Sequence, residues 1–350
     1  MAISIYDSRS LTAAVNKIKP PNTQIFDIFN VQKEVHATDI IDWETISEES
    51  RVAQFVSREA TEPKGIKRPT RTVNTIRIPR TWEAMTFTAQ KLKDYTELGN
   101  IYGASQQEID AAINNRVLSD LDSLQNRAIR RRVQMFAETL DTGKVVIAQD
   151  DYEATIESGM VTDTLANGGH IVDLSGSIDW ASTTANIDQQ IYQIKQAFTK
   201  RGKSVRVCIL GASAAVSFLA NEKVRKVLDN NNIQAGRLNI NSAQESTLIP
   251  LGTFYGVQFY EYSEMYKNDS GVIVPMINDK RAIFADNTAE FKMHVAPVHR
   301  IENGKVVSYQ SEFYLDSIEK KKQILTWELE QKSLPQIKDP DSIISAKVVA

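Results

Sequence analysis

The sequence has few of the residues that build disulfides, thiol centres or metal sites. It contains one cysteine, Cys208, and four histidines in 350 residues. A single thiol excludes an intramolecular disulfide and is typical of a protein that folds in a reducing cytoplasm. Because Cys208 lies in the apolar run 205–210, we expect a buried thiol there. His36 and His170 stand alone in the sequence, so we expect neither of them to bind a metal ion.

Long apolar runs and a strong net charge are also missing. No stretch approaches the ~20 apolar residues that cross a bilayer, and the first residues do not resemble a signal peptide. We therefore expect a soluble protein that is not exported by the standard route. The net charge of −3 argues against a protein whose main function is to bind nucleic acid through a large basic surface. A chain of 350 residues exceeds what one core fills, so we expect two or more lobes.

The motifs of common catalytic and nucleotide sites are incomplete. Residues 202–204, Gly-Lys-Ser, end a string that resembles a phosphate-binding loop, but Ala197 replaces its first glycine and the predicted order is helix then strand. Ser213 lacks the second glycine of a nucleophile elbow. His294 and His299 are five residues apart, which is not the spacing of a helical metal-binding pair. We therefore expect no catalytic, cofactor-binding or metal-binding residues.

The clearest element is a long helix over residues 105–142. Ser105 and Glu108 form a capping box at its start, apolar residues then recur at three- and four-residue steps, and Gly143 stands where a helix stops. At 1.5 Å per residue such a helix is roughly 55 Å long. This length exceeds the width of a compact domain of this size, so the helix must be a spine.

A basic two-stranded ribbon precedes the spine. Val52–Val56 and Val73–Ile78 are typical of strands, and a polar tip joins them. Between Arg58 and Arg80 there are seven basic and two acidic residues, a local net charge of +5. A lone two-stranded ribbon is marginally stable at best, so this one needs a neighbour to lie on.

The segments after the spine differ in character. Residues 144–190 are strand-like and carry eight acids against Lys144, a local net charge of −7. Residues 187–290 alternate helices with short apolar strands and predict an α/β lobe. The predicted elements of the lobe are a helix at 187–198, a strand at 205–210, a helix at 212–228 and strands at 257–262 and 281–285. Two long return strands are predicted at 306–315 and 323–329. A proline-containing tail at Leu334–Pro335 is predicted to follow them.

This order of parts resembles the shell-protein fold of tailed phages, the HK-97 type. More narrowly, the chain resembles the lambda-type capsid protein E family. The resemblance rests on short motifs in a fixed order: the exit of the spine at residues 138–144, the Gly-Ser-Ile-Asp-Trp string at 176–180 and the Asp-Pro-Asp-Ser-Ile string at 339–343. It covers nearly the whole chain.

The resemblance implies an α+β, HK-97-like capsid fold and a structural function. It implies a major capsid protein and not an enzyme. Copies of this protein would self-assemble into the hexamers and pentamers of an icosahedral phage head that encloses double-stranded DNA. Assembly would take place in the host cytoplasm, and the protein would then be part of the virion. The implied parts are an N-terminal arm (1–49), an extended loop (50–88), a peripheral domain with the spine (89–180), an axial domain (181–291) and peripheral return strands with the C-terminal tail (292–350). Because no helical scaffolding segment precedes the arm, a separate scaffold is implied, together with a portal and in some cases a decoration protein.

The charges suggest a contact between subunits, since the extended loop of this fold lies across a neighbour. We expect basic side chains of the loop to face acids of the next subunit, where they set orientation and salt dependence. The basic set is Lys64, Lys67, Arg68, Arg71, Arg77 and Arg80, and the acidic set is Asp150, Asp151, Glu153 and Glu157.

Three consecutive arginines on the spine allow two interpretations. Arg130, Arg131 and Arg132 spread around the helix, so at least one must leave the apolar face and find an acid or a phosphate. They form salt bridges to Glu138 or to the acidic strands, or they contact packaged DNA.

Two other functions of the protein stay open: an encapsulin-like shell around protein cargo, and an enzyme with a polar pocket in the α/β lobe.

Overall fold

The computed structural model describes nine stretches of the chain. These stretches are residues 23–47, 70–88, 106–149, 152–176, 178–230, 247–268, 270–302, 304–321 and 324–350. The predicted strand at 52–56 and Ser105 of the predicted capping box lie outside them. No described helix is long and apolar enough to span a bilayer.

The described residues form five α-helices and nineteen strands. The helices are α1 (Gln24–Ile28), α2 (Gln106–Thr142), α3 (Ile187–Lys200), α4 (Ala212–Ala220) and α5 (Glu222–Asn230). The strands are β1 (Gln32–Val35), β2 (Ile40–Ser47), β3 (Thr70–Arg77), β4 (Arg80–Thr88), β5 (Lys144–Gln149), β6 (Tyr152–Glu157), β7 (Ile171–Asp173), β8 (Val207–Leu210), β9 (Leu248–Phe254), β10 (Val257–Tyr262), β11 (Met265–Lys267), β12 (Ile273–Pro275), β13 (Arg281–Ala285), β14 (Phe291–Val295), β15 (Val298–Glu302), β16 (Lys305–Tyr309), β17 (Tyr314–Lys321), β18 (Ile324–Ile337) and β19 (Ile343–Lys347).

The spine helix forms as the sequence predicts. Helix α2 has 37 residues and buries the stripe that includes Leu121, Leu124 and Phe136. It ends at Gly143, whose φ of +69° is a conformation that glycine adopts without steric cost. Thr139 accepts the last backbone hydrogen bond, from the Gly143 N–H at 3.0 Å.

The first sheet lies against the spine and is built around β18. Its strand order is β1-β14-β18-β17, and β4 also pairs with β18. The fully buried Trp327 of β18 packs 4.6 Å from the Phe87 ring, between centroids. Strand β18 runs through Pro335, which pairs opposite Met293. The prediction of a tail at Leu334–Pro335 was therefore wrong, because a proline is tolerated where a strand has a partner on one side only.

The second sheet has core on both faces. Its order is β7-β19-β13-β8-β10-β9. Successive side chains of β8 point to opposite faces: Val207 and Ile209 join the core beside the first sheet and the spine, while Cys208 and Leu210 pack with α3, α4 and α5. Burial on both faces explains the uninterrupted apolar run. It also raises the pKa of the Cys208 thiol well above its ordinary value.

Two predicted elements are interrupted. The predicted helix at 212–228 is two helices, because Asn221 ends α4 and its Oδ1 accepts from the Lys223 and Val224 N–H groups at 3.0 and 3.3 Å, which caps α5. The predicted strand at 306–315 is split between β16 and β17. In contrast, the strands at 257–262 and 281–285 begin and end where they were predicted.

Candidate subunit interface

In the described part of the basic ribbon, the strand that pairs with β3 lies earlier in the chain than the predicted strand at 52–56. Strand β3 pairs with β2 (Ile40–Ser47), so residues 48–69 connect the two strands. Strand β2 falls in the part predicted to be the N-terminal arm (1–49). At the base of the ribbon, Ile41 and Ile78 belong to a small core with Val145, Ile147 and Ile156 of the acidic hairpin β5–β6 of the same chain. The ribbon base therefore packs on the subunit's own body.

The predicted basic residues occupy different environments. Lys64, Lys67 and Arg68 lie outside the described residues, and Arg71 is described as a backbone position of β3 opposite Ile46. Arg77 is exposed at the ribbon base.

Arg80 is engaged within the chain. Its Nε lies 2.7 Å from Glu330 Oε1 and its Nη2 lies 2.8 Å from Oε2, and the Glu330 side chain is only 2 % exposed. Arg300 Nη2 approaches the same carboxylate at 2.9 Å. A buried carboxylate needs such partners, because an unpaired charge away from water is costly. Arg80 therefore fixes the ribbon base to β18.

A second ion-pair group lies beside this carboxylate. Asp39, just before β2, accepts from Lys332 Nζ of β18 at 2.8 Å, and His299 Nε2 lies 3.3 Å from its other oxygen. Trp82 donates from Nε1 to Glu328 at 3.1 Å. These contacts join β2, β4 and β15 to the central strand of the first sheet.

The predicted acidic residues are only partly described. Asp150 and Asp151 lie outside the described residues, and Glu153 is described only as a backbone position of β6 opposite Ala148. Glu157 is exposed and pairs across the hairpin with Lys144 Nζ at 2.7 Å. None of the described contacts joins a predicted basic residue to a predicted acidic one.

The three spine arginines separate by burial. Arg132 is 4 % exposed, forms a salt bridge with Glu312, donates to the Glu312 carbonyl oxygen at 3.0 Å and lies 4.4 Å from the centre of the Phe313 ring. Burial lowers the Arg132 pKa, and Glu312 opposes that effect. Arg132 forms the salt bridge that was one of its two predicted roles, but with neither of the predicted partners.

Arg130 and Arg131 are more accessible than Arg132. Arg130 is exposed and Arg131 is half-buried. Burial raises the Glu138 pKa, and the nearby Arg131 charge opposes that rise. Of the three arginines, Arg130 is the one whose side chain is open to a partner outside the chain.

A polar cavity lies where the spine meets the second sheet. It has a volume of about 570 Å³ and is lined by Glu138, Asp141, Ser213 and Lys280, among others. Burial raises the Asp141 pKa although Arg281 Nε lies 3.2 Å from its Oδ1. The cavity is wide open and lies beside the α/β lobe, in the region where the enzyme alternative places a pocket.

The Asp-Pro-Asp string forms a turn with several charged partners. Asp339 accepts from the Asp341 N–H at 3.1 Å and forms a salt bridge with Lys203. His170 Nε2 lies 3.0 Å from Asp341 Oδ1, and Arg201 Nε lies 3.7 Å from the same oxygen. Lys203 of the incomplete phosphate-loop string is therefore a structural ion-pair partner.

Strands β1 and β14 bring together three side chains that can bind metals. Glu34, His36 and His294 each offer a ligand atom, and these atoms lie within 4.8 Å of one another. His36 Nε2 is 2.8 Å from His294 Nδ1. His36, which stands alone in the sequence, therefore lies beside a second histidine in the fold. The sequence signal is the alternate spacing of Glu34 and His36, which places both on one face of a strand, but their partner is 258 residues away.

Comparison with known proteins gives one family and several similar folds. The family model described as phage major capsid protein E matches residues 7–348. No curated protein matches the chain.

Three solved structures share the fold at low sequence identity. A prophage protein of E. coli CFT073 assigned to the capsid has a TM-score of 0.68 at 14% identity, covering 98% of this chain and 99% of that one. A phage-related protein from Bordetella bronchiseptica RB50 has a TM-score of 0.51 at 10% identity, covering 99% and 98%. The capsid of a native GTA particle has a TM-score of 0.52 at 12% identity, covering 96% of each chain.

Proposed function

The chain belongs to the phage major capsid protein E family, and from this premise we propose how its copies contact one another and what else they contact. Its fold is the HK-97-like capsid fold, and it is a capsid protein of the virion that assembles into multimeric shells. The family suggests a structural protein and not an enzyme. The encapsulin-like alternative is not favoured, because a phage capsid family spans nearly the whole chain.

The two sheets suggest a division into the domains of a capsid subunit. The first sheet with the spine helix would be the peripheral domain, and the second sheet with α3, α4 and α5 the axial domain at the centres of hexamers and pentamers. Strands β7 and β19 pair within the second sheet. The axial domain would therefore include residues 171–173 and 343–347, which the sequence assigned to the peripheral domain.

The basic ribbon would contact the acidic hairpin of a neighbouring subunit. The supporting observation is that the two arginines at the ribbon base differ in environment: Arg80 pairs with Glu330 of its own chain, whereas Arg77 is exposed. The contact would use Arg77 together with Lys64, Lys67, Arg68 and Arg71, and Arg80 would be an internal anchor.

The acids of the hairpin remain accessible in this scheme. Glu157 and Lys144 form an exposed pair, and exposed pairs contribute only about 0 to 1 kcal/mol. Glu157 could therefore exchange Lys144 for a basic side chain of a neighbour at little cost. Such charges set orientation and salt dependence, while apolar contacts hold the shell.

The test is a charge reversal at Arg77. Arg77→Glu should reduce formation of hexamers and pentamers, measured by native mass spectrometry, while the circular dichroism and melting temperature of the subunit stay unchanged. Lys200→Glu is the matched control, since Lys200 is exposed at the end of α3 and its reversal changes the net charge equally. Normal assembly of Arg77→Glu, or an equal defect in Lys200→Glu, would contradict the ribbon contact.

The other proposed partners are the components expected of a phage head. A separate scaffold and a portal would direct closure in the host cytoplasm, a decoration protein could bind the outside, and the shell would enclose double-stranded DNA without sequence preference. Electron microscopy of the chain expressed with and without its genomic neighbours tests this scheme. Closed particles formed only with the neighbours support it, whereas closed particles formed by the chain alone favour an encapsulin-like shell.

A further inference from the structure

We propose that Glu34, His36 and His294 form a binding site for one divalent transition-metal ion, of which zinc is the expected occupant. The three ligand atoms lie within 4.8 Å of one another. Two come from β1 and the residue that follows it, and the third comes from β14. A bound ion would therefore tie residues 32–36 to the first sheet.

The backbone places all three side chains on one face of the sheet. Strands β1 and β14 are parallel, and Glu34 is the register partner of His294. His36 lies two residues beyond Glu34, and the period of two along a strand returns it to the same face. The His36 N–H donates to the Val295 carbonyl oxygen at 2.8 Å, so the backbone is held in this register as far as His36.

Gln336 sets the tautomer of His294. His294 Nε2 lies 2.7 Å from Gln336 Oε1, and an amide oxygen only accepts, so Nε2 carries the proton. Nδ1 is then the ring atom with a lone pair, and it accepts from His36 Nε2 at 2.8 Å. To act as a ligand, His36 would have to carry its proton on Nδ1 in place of Nε2. A metal-binding histidine is commonly oriented in this way by an acceptor on its other nitrogen.

The donor set selects the class of metal. Two imidazole nitrogens and one carboxylate suit zinc and its neighbours, whereas Mg²⁺ and Ca²⁺ prefer oxygen ligands. With metal–nitrogen bonds of roughly 2.0–2.1 Å, tetrahedral ligand atoms lie about 3.4 Å apart, so the two rings need to separate slightly from 2.8 Å. Three protein ligands leave the fourth position to water.

One cation already occupies part of the site. Lys292 Nζ lies 2.7 Å from Glu34 Oε2, and it would have to turn away when the ion binds. The Lys292 side chain is 25% exposed, so its ammonium group can reach solvent from this position. Beside the Glu34 carboxylate, the doubly charged ion would replace the single positive charge of Lys292. Zinc binding therefore competes with an existing ion pair.

The test measures zinc content of the tag-free, full-length protein after equilibrium dialysis. We expect one zinc ion per chain for the wild type after dialysis against zinc, and no bound metal after dialysis against MgCl₂ alone. His36→Gln should bind zinc at least about tenfold more weakly, since loss of a residue that only hydrogen-bonds a metal ligand already lowers metal affinity 10–100-fold. His299→Gln is the matched control, because His299 lies on β15 outside the cluster, and it should bind zinc like the wild type.

The melting temperature separates metal binding from folding. Zinc should raise the melting temperature of the wild type and of His299→Gln but not that of His36→Gln. If His36→Gln does not fold, Glu34→Gln at the other partly exposed ligand provides the same comparison. A wild type that binds no zinc, binding retained in both His36→Gln and Glu34→Gln, or equal loss in His299→Gln would overturn the proposal.

Discussion

Arg80 and Glu330 form a two-point ion pair between the ribbon base and the central strand of the first sheet. Both carboxylate oxygens are within 2.8 Å of an Arg80 nitrogen, and the guanidinium carbon also lies 4.3 Å from the centre of the Trp82 ring. The planar guanidinium fits this carboxylate in a way that a lysine cannot. The pair ties the base of the ribbon to the body of the subunit.

Loss of this pair should destabilise the subunit itself. Arg80→Gln should lower the free energy of unfolding by roughly 2 kcal/mol, since a hydrogen-bonded charge is removed from a buried carboxylate that keeps Arg300 as a partner. Urea denaturation of the wild type and the variant measures the difference. In the Glu330→Gln background the same substitution should cost less, and equal costs in both backgrounds would contradict a direct interaction.

Local patterns in the sequence were sufficient for the elements whose signals are local. The spine helix and its end at Gly143 were predicted correctly because a long apolar stripe and a helix-stopping glycine act within a few residues. The break at Asn221 was missed, since a capping asparagine inside an apolar pattern resembles an ordinary helical residue. His294 and Glu330 could not be assigned partners, because pairing in a sheet depends on residues far away in the chain.

A side chain at Gly143 should destabilise the subunit. Its φ is +69°, and a Cβ at this position would lie 2.6 Å from Met160 Cβ. Gly143→Ala should therefore lower the free energy of unfolding by about 2 to 3 kcal/mol, combining the left-handed backbone with a steric clash.

Gly256 provides the control for Gly143. Its φ is +78°, but a Cβ there has nothing within 4 Å, so Gly256→Ala should cost only the backbone strain of about 1 kcal/mol. Thermal denaturation of the two variants gives the comparison. Equal destabilisation would show that the close approach of Met160 contributes nothing.

Arg130 should contribute one phosphate contact if the spine faces packaged DNA. Arg130→Ala should reduce the slope of the logarithm of DNA affinity against the logarithm of salt concentration by about 0.9. Fluorescence anisotropy with non-specific duplex DNA measures that slope. Arg127→Ala is the control on the same helix, because Arg127 is already paired with Glu83 at 2.8 Å. An unchanged slope in Arg130→Ala, or the same reduction in Arg127→Ala, would remove Arg130 from the DNA surface.

The turn at Asp341 should make the stability of the subunit sensitive to acid. The hydrogen bond from His170 is the main cause that lowers the Asp341 pKa; burial opposes it, and the charges of Arg201 and Lys203 add to it. The Val161 N–H donates to His170 Nδ1 at 3.1 Å, so His170 Nε2 carries the proton that is donated to Asp341. These contacts stabilise the ionised carboxylate in the folded chain alone.

The sign of the pH dependence follows from this lowered pKa. Because Asp341 titrates below its ordinary value of 3.8 when folded, its contribution to stability is complete above that pH and is lost as the pH falls through the folded-state pKa. Asp341→Asn should therefore be less stable than the wild type at pH 7, and the difference should shrink as the pH falls below about 4. Urea midpoints of both proteins between pH 7 and pH 3 measure it. A difference that stays constant over this range would show that the ionised form of Asp341 is not what His170 and Arg201 stabilise.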